Sequence, residues 1–330
     1  MCVLKTALES FFQKHSLFHE HQKFGIGISG GPDSLALAHS LIEFFPDKEL
    51  YFFTVDHDLR ESSEQEAQDM AAWIQSLKKD NLHHHILKWE GEKPKTAILE
   101  KARQVRYNLI FKFCEQNNIQ NLFLGHHQDD QAETFLIRLA KGSGIDGLSS
   151  MRDISENDHN ILLARPFLNL RKKNLTEYCD KYNLPYINDP TNENDSYLRP
   201  RLRSSMGILE GEGLSVERLS KTAKRLSRAN KALENFVDQA QQDILHVQNN
   251  KIILNLQTYL SLEEEIALRL LSRSLEKFRI DAVYRVRMEK LEDLFEALWH
   301  DHQNFKPRTL GQSLIRIDHK KDELIIEDQP

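Results

Sequence analysis

Hydrophobic and polar positions follow two alternating rhythms through the first half of the chain. Short, mostly apolar runs at Phe24–Ser29, Leu50–Val55, His83–Trp89 and Asn121–Gly125 read as strands. Between and after them, Ser34–Phe45, Ser62–Lys78, Thr96–Asn117 and Asp129–Leu139 carry apolar residues at helical spacing. Such alternation predicts βαβ units and a parallel sheet, with ligands at the carboxyl ends of the strands. The turn Ser29–Ser34, then Val55-Asp56-His57 and Gly125-His126-His127, all fall at those ends.

The pattern changes further on. Lys141-Gly142-Ser143-Gly144 reads as a loop, and a smaller αβ unit follows at Ile161–Leu163, Arg171–Lys181 and Pro185–Ile187. Glycines from Gly207 to Gly213 mark a break. Beyond it come a long helix over Val216–Leu245, a strand at Ile252–Leu256 and helices at Leu262–Phe278 and Arg285–Trp299. Leu314–Ile317 and Glu323–Ile326 alternate like a terminal hairpin. The expected architecture is therefore α/β, a doubly wound, Rossmann-like parallel sheet. It spans residues 1–210 and is followed at 211–330 by a linker helix and a smaller, mainly helical domain.

At 330 residues two domains are the default expectation. No apolar run approaches bilayer length, and Met1–Phe12 lacks a signal-peptide core. Cys2, Cys114 and Cys179 are too few and too scattered for a disulfide framework or a zinc site. The expectation is a cytoplasmic protein with no membrane partner. A formal charge of −6 argues weakly against nucleic acid, but distribution matters more than the sum. From Arg199 to Lys231 there are nine basic residues and three acidic ones. Arg218, Lys221, Arg225 and Arg228 recur at three- and four-residue steps, which aligns them on one helix face. A solvated face and a track for phosphates, continuing from Arg199, Arg201 and Arg203, both account for that run.

Chemistry enters at Gly25-Ile26-Gly27-Ile28-Ser29-Gly30-Gly31-Pro32-Asp33-Ser34. As G-x-G-x-x-G the glycines match a dinucleotide fingerprint, but they lie inside the apolar run instead of ending it. As G-x-S-x-G, Ser29 would be an esterase nucleophile, which leaves Asp33 and Ser34 unused. As S-G-G-x-D-S, the turn aims backbone N–H groups and a hydroxyl at the start of a helix. That arrangement binds phosphate, and Asp33 can hold Mg²⁺ against the same phosphates. A Walker loop is excluded, because no Gly-Lys-Ser/Thr follows. The pyrophosphate loop uses the most residues of the segment.

A second cluster, Gly125-His126-His127-Gln128-Asp129-Asp130-Gln131-Ala132-Glu133-Thr134, packs two histidines and three carboxylates around a strand end. An Asp pair beside His at a triphosphate site serves as Mg²⁺ ligand or as proton acceptor. Asp130 is the first choice for either role and Asp129 the second. His83-His84-His85 lies inside a strand with nothing acidic next to it in sequence and reads as structural.

Taken together, the chain resembles the PP-loop ATP pyrophosphatases and, within them, the family of tRNA(Ile)-lysidine synthetases in their short form. The matching segments are Ser29–Ser34, Val55-Asp56-His57-Asp58-Leu59-Arg60, Ala102-Arg103 with Arg106-Tyr107, the Gly125–Thr134 block, Arg165-Pro166, and Asp189-Pro190-Thr191-Asn192 leading to Arg199 and Arg203. They span about Phe24 to Arg203. The loop is shared by several ligases; the His-His-x-Asp-Asp-Gln-x-Glu-Thr block is highly specific. Two departures stand out: Thr191-Asn192 replaces the family's Ser-Asn, and Arg199-Pro200-Arg201-Leu202-Arg203 replaces Arg-Asn-x-x-Arg. Pro200 removes an amide side chain and a backbone donor while sparing both outer arginines.

The resemblance implies a carbon–nitrogen ligase that uses ATP and Mg²⁺. ATP adenylates the carbon 2 oxygen of the wobble cytidine in the CAU anticodon of isoleucine tRNA. Free L-lysine then displaces AMP, giving lysidine and changing decoding from AUG to AUA. ATP is placed on Ser29, Gly30, Gly31, Pro32, Asp33, Ser34, Asp56 and His57. Catalysis falls to Asp33, Asp130, Asp129, His127 and Arg106, with Mg²⁺ on Asp33 and Asp130. Substrate binding falls to Arg60, Arg103, Arg106, Glu133, Arg165, Arg199 and Arg203. The tRNA backbone is expected along Arg201, Arg218, Lys221, Arg225 and Arg228; a homodimer is allowed for. Competing readings are another PP-loop ligase and a non-catalytic ATP- and RNA-binding module. Sulfur-inserting tRNA enzymes need paired cysteines, and no C-x-x-C exists here. The amide-forming ligases of the superfamily carry a glutamine-hydrolysing partner, for which this chain has no evident domain.

Overall fold

The computed structural model describes residues 2–59, 63–91, 93–94, 96, 98–157, 159–187, 198–278 and 287–328. Arg60 and the segment Asp189-Pro190-Thr191-Asn192 lie outside them. The chain divides into two compact units, Met1–Ser227 and Arg228–Pro330.

In the first unit, strands β1 (Lys23–Gly27), β2 (Glu49–Asp56), β3 (Leu82–Lys88), β4 (Asn121–Phe123), β5 (Ile154–Glu156) and β6 (Leu162–Ala164) form one sheet in the order β3-β2-β1-β4-β6-β5. All pairings are parallel except β5 with β6. The strand order runs outward from β1 in one direction and from β4 in the other. The boundary between β1 and β4 is thus the topological switch point, where open α/β sheets bind their ligands.

Side-chain alternation serves both faces. On one face Phe24, Ile26, Leu50, Phe52 and Phe123 join a core closed by helices α1 (Val3–Lys14), α2 (Pro32–Phe44), α3 (Ser63–Ser76) and α7 (Lys172–Lys181). On the other, Phe53 and Leu122 meet Ile110, Phe111 and Cys114 of α4 (Ile98–Gln116). Helix α1 has no counterpart in the sequence-based reading. It buries Leu4, Leu8, Phe11 and Phe12 at helical spacing beneath the aromatic cluster of Phe18, Phe24 and Phe123. Pro185–Ile187 is not a strand of the sheet; the Ile187 N–H instead donates to the Gly30 carbonyl at 2.9 Å. The histidine run also meets an acid across the sheet: His83 Nε2 lies 2.5 Å from Glu49 Oε2, and His84 Nε2 lies 2.9 Å from Thr54 Oγ1.

Helix α5 (Gln128–Ala140) follows β4, and the short α6 (Ile145–Leu148) follows α5. Helices α8 (Leu198–Gly211) and α9 (Val216–Ile244) meet at the turn holding Gly213, whose φ is +88°. Pro200 is buried in α8.

The second unit takes the end of α9 with α10 (Leu256–Leu260), α11 (Glu264–Glu276) and α12 (Met288–His300). Alongside these helices lies a five-stranded antiparallel sheet: β7 (Leu245–Gln248), β8 (Lys251–Asn255), β9 (Arg308–Leu310), β10 (Ser313–Asp318) and β11 (Glu323–Asp328), in the order β7-β8-β11-β10-β9. Strands β7 and β9 escape the sequence pattern because they are short edges, burying little. Val237, Leu254, Tyr259, Leu270, Leu298 and Ile326 belong to a core separate from that of the first unit.

Candidate active site

The turn after β1 is locked from within. Gly30 takes φ +79°, a left-handed conformation that a side chain would strain. The Ser34 hydroxyl receives the Ser29 N–H at 3.0 Å and donates to the Gly31 carbonyl at 3.0 Å. Ser34 therefore closes the turn and spends its hydroxyl there. Pro32 opens α2 without an N–H, so the amides of Asp33 and Ser34 are the first-turn donors with no helical acceptor. They stand at the positive end of the helix dipole.

The loop after β4 is brought against this turn by Gly125. A Cβ there would lie 2.7 Å from the Asp33 carbonyl oxygen, so any larger residue would push the two loops apart. His127 then caps α5: its N–H donates to Asp130 Oδ2 at 3.0 Å, and its Nδ1 accepts the Asp130 N–H at 3.3 Å. With Nδ1 engaged, the proton of a neutral ring is left on Nε2, which lies 3.4 Å from both Asp33 Oδ2 and Asp130 Oδ2. Burial opposes a charge on this ring. The Asp33 hydrogen bond and the carboxylates of Asp130, Asp33 and Asp129 outweigh burial and raise its pKa. The structure thus gathers Asp33, His127 and Asp130 at the switch point. Asp33 Oδ1 is buried there with no hydrogen-bond partner.

Asp129 lies near the same ring, its Oδ2 3.6 Å from His127 Nδ1, but its hydrogen bonds go elsewhere. It accepts the Lys172 N–H at 2.8 Å and the Arg171 guanidinium at 3.2 Å, and these outweigh burial to hold its pKa below the ordinary value. Glu133, also buried, takes the Arg203 fork at 2.5 and 3.2 Å. Asp56 closes the turn after β2, accepting the Asp58 N–H at 2.9 Å and the Ser63 hydroxyl at 2.7 Å. Despite burial, those bonds lower its pKa.

A second group of opposite character gathers around His126. Burial comes first, followed by the positive charges of Arg165, Arg103, Arg106 and Arg199, and together they push the His126 pKa well down. Its Nδ1 is buried without a partner, as is Nδ1 of His57. Burial and Arg106 push His57 down to about 4. Arg103 and Arg106 both stack on the Tyr107 ring, 5.1 and 5.6 Å from its centroid. Arg165 is buried; it donates to the Arg152 carbonyl and to Ser155 Oγ at 2.9 and 3.0 Å, while its Nε has no partner. Among the described residues no carboxylate pairs with Arg103, Arg106 or Arg199. Such a concentration of uncompensated guanidinium calls for an anion. His126 and Tyr107 are parts of this group that sequence reasoning assigned no role.

The remaining expected residues are spread along two helices. Arg199 and Arg201 are exposed on α8. Arg218, Lys221, Arg225 and Arg228 are all exposed on α9, and Arg218 also donates to the Gly213 carbonyl at 3.0 Å.

Among the described residues no helix is long and apolar enough to cross a membrane. A profile of the PP-loop domain family matches residues 3–208. A tRNA(Ile)-lysidine synthase of Wolbachia pipientis wMel is 34% identical over 324 residues, covering 94% of this chain and 74% of its own length. One from a Bradyrhizobium species is 36% identical over 286 residues, covering 83% and 78%. Among solved structures, a U34-tRNA thiolase from Methanococcus maripaludis with its [4Fe-4S] cluster superposes at a TM-score of 0.56 and 16% identity, covering 68% of this chain and 78% of that one. That likeness concerns the fold alone. Here Cys114 and Cys179 are buried, their thiols pushed up to about 12, chiefly by desolvation. The PP-loop domain over residues 3–208, together with these relatives, makes the chain an ATP-using ligase that belongs to the tRNA(Ile)-lysidine synthase family.

Proposed function

We propose that this enzyme joins free L-lysine to carbon 2 of the wobble cytidine in the CAU anticodon of isoleucine tRNA. The observation that supports it best is the meeting, at the switch point, of the amide-rich turn before α2 with Asp33, His127 and Asp130, beside an arginine group that pairs with no carboxylate among the described residues. In the first step the cytidine carbon 2 oxygen attacks the α-phosphorus of ATP and pyrophosphate leaves. The Asp33 and Ser34 amides and the α2 dipole face the departing negative charge. Arg106 and its neighbours hold phosphate oxygens of the nucleotide or of the tRNA.

The donor set suits Mg²⁺, which takes one or two carboxylates and completes its shell with phosphate oxygens and water. Asp33 Oδ1, buried and unpartnered, and the Asp130 carboxylate are the residues that would hold it. When bound, the ion neutralises phosphate charge. In the second step an ammonium of free lysine gives up a proton to a carboxylate of the acidic cluster, Asp130 being the first candidate and His127 holding its oxygen in place. The amine then attacks carbon 2 and AMP departs with the bonding pair. Arg201, Arg218, Lys221, Arg225 and Arg228 offer exposed charge to the tRNA backbone. Mixing enzyme, ATP, lysine and isoleucine tRNA carrying CAU should release pyrophosphate and AMP, whereas methionine tRNA should release little. Release independent of tRNA, or none at all, overturns the reading.

A further inference from the structure

Arg171 belongs to no motif and lies far along the chain from the residues it touches. Its Nε and Nη2 reach Asp129 at 3.3 and 3.2 Å, and its Nη1 pairs with Glu217 in the first turn of α9. The first turn of α5 is held by neighbouring bonds as well. The Gln128 N–H donates to the Leu170 carbonyl at 2.8 Å, and the Ser220 hydroxyl of α9 donates to the Gln128 carbonyl at 3.2 Å. Below them Ala132 and Phe135 of α5 pack on Val216, Leu219 and Ala223 of α9. Every one of these contacts lies within the first unit.

The bonds run in a closed course. α9 holds Arg171 through Glu217, Arg171 holds Asp129, and the same turn presents His127 and Asp130 to Asp33. Of the three carboxylates at the α5 start and the loop, Asp129 is the one that takes this clamp, and its Oδ2 lies 3.6 Å from His127 Nδ1. A fork that grips two carboxylates fixes both distance and orientation, which a single point charge does not.

We propose that Arg171 is a positioning residue for the ligase reaction: by gripping Asp129 and Glu217 together it fixes the first turn of α5 against the start of α9, and so sets where His127 and Asp130 stand relative to Asp33. The inference rests on reading the switch point as the catalytic site of the proposed reaction. Displacements near 1 Å at such a site cost on the order of 100-fold in rate.

The test compares Arg171→Gln, Arg171→Lys and Glu217→Gln with wild type in pyrophosphate release, the KM for ATP and for tRNA, and thermal melting, with Asp33→Ala in parallel. Arg171→Gln should lower kcat by roughly 10- to 100-fold while both KM values and the melting temperature stay near wild type. Arg171→Lys should recover part of that loss, because one ammonium still reaches one carboxylate. Glu217→Gln, which spares Asp129, should fall between wild type and Arg171→Gln, and it decides the matter if Arg171→Gln fails to fold. Wild-type kcat in Arg171→Gln and Glu217→Gln, or losses that track melting temperature, overturns the positioning role. An active Asp33→Ala would overturn the site itself; an inactive Asp33→Ala beside a fully active Arg171→Gln removes only the role of Arg171.

Discussion

His126 and His127 are consecutive in the chain, and their imidazoles are driven in opposite directions. His127 faces Asp33, Asp130 and Asp129 and is raised, whereas His126 faces Arg165, Arg103, Arg106 and Arg199 and is lowered. One peptide bond separates an acidic side of the site from a basic one. The acidic side is assembled in advance: Glu133 has Arg203, Asp129 has Arg171 and Lys172, and Asp130 has the His127 N–H. The basic side is not balanced in this way, since its guanidiniums meet an aromatic ring, a carbonyl and a hydroxyl instead of acids. Acids with partners already in place, beside arginines that pair with no carboxylate among the described residues, leave the basic side with positive charge to offer an anion.

The comparison breaks most visibly at Asp33, the acidic residue with an unpartnered oxygen. Asp33→Ala should cut pyrophosphate release by roughly 1,000-fold and leave melting close to wild type, since no strong bond is lost. Wild-type release in a folded variant would mean the acidic side is scaffolding.

Arg106 tests the basic side, and the sign of its stability effect is informative. Its burial and the repulsion from Arg103 and Arg199 both act against it, lowering its pKa. Arg106→Ala should therefore reduce kcat/KM by roughly 100-fold while the melting temperature holds or rises. A variant that melts earlier yet turns over normally would make Arg106 a packing residue.

The two sides were not equally legible in the sequence. The acidic loop and the glycine turn are contiguous, so their spacing alone places them at adjacent strand ends once the parallel sheet is inferred. The basic side is assembled from α4, the residue after β6 and the start of α8, and its convergence depends on tertiary packing that no local pattern encodes. Only the family resemblance pointed to Arg103, Arg165 and Arg199 together. Arg171 carried no signal, because its partners lie 42 and 46 residues away. The fold was easier, since strand and helix periods survive in each segment; α1 too carries its pattern, with Leu4, Leu8, Phe11 and Phe12 at helical spacing.

Exposed basic charge recurs along α9 at Arg218, Lys221, Arg225 and Arg228. Arg225→Glu with Arg228→Glu should weaken cognate and non-cognate tRNA alike, roughly tenfold at moderate salt. It should also flatten the log–log salt dependence by about one unit per lost contact. ATP binding should be unaffected. Identical affinities and slopes across a salt series would reduce the stripe to a solvated face.

The smallest effect concerns His57, which stands on the basic side although it follows the carboxylate of Asp56. Burial and Arg106 depress it to about 4, with Lys93 adding to the depression and Asp56 opposing it. In the unfolded chain it titrates near the ordinary 6.5. Above that value neither state holds the proton, and the folded state keeps its full stability. As pH falls below it, the unfolded chain takes up a proton that the folded chain refuses until about 4, so stability declines across this window and then levels off. The group is partly exposed, so solvent screening trims the effect to about 1 kcal/mol at pH 5. His57→Gln removes it. Denaturant unfolding at pH 7.5 and pH 5 should show a smaller loss for the variant than for wild type by about that amount. Equal losses would mean that burial and Arg106 together do not depress His57 in the folded chain.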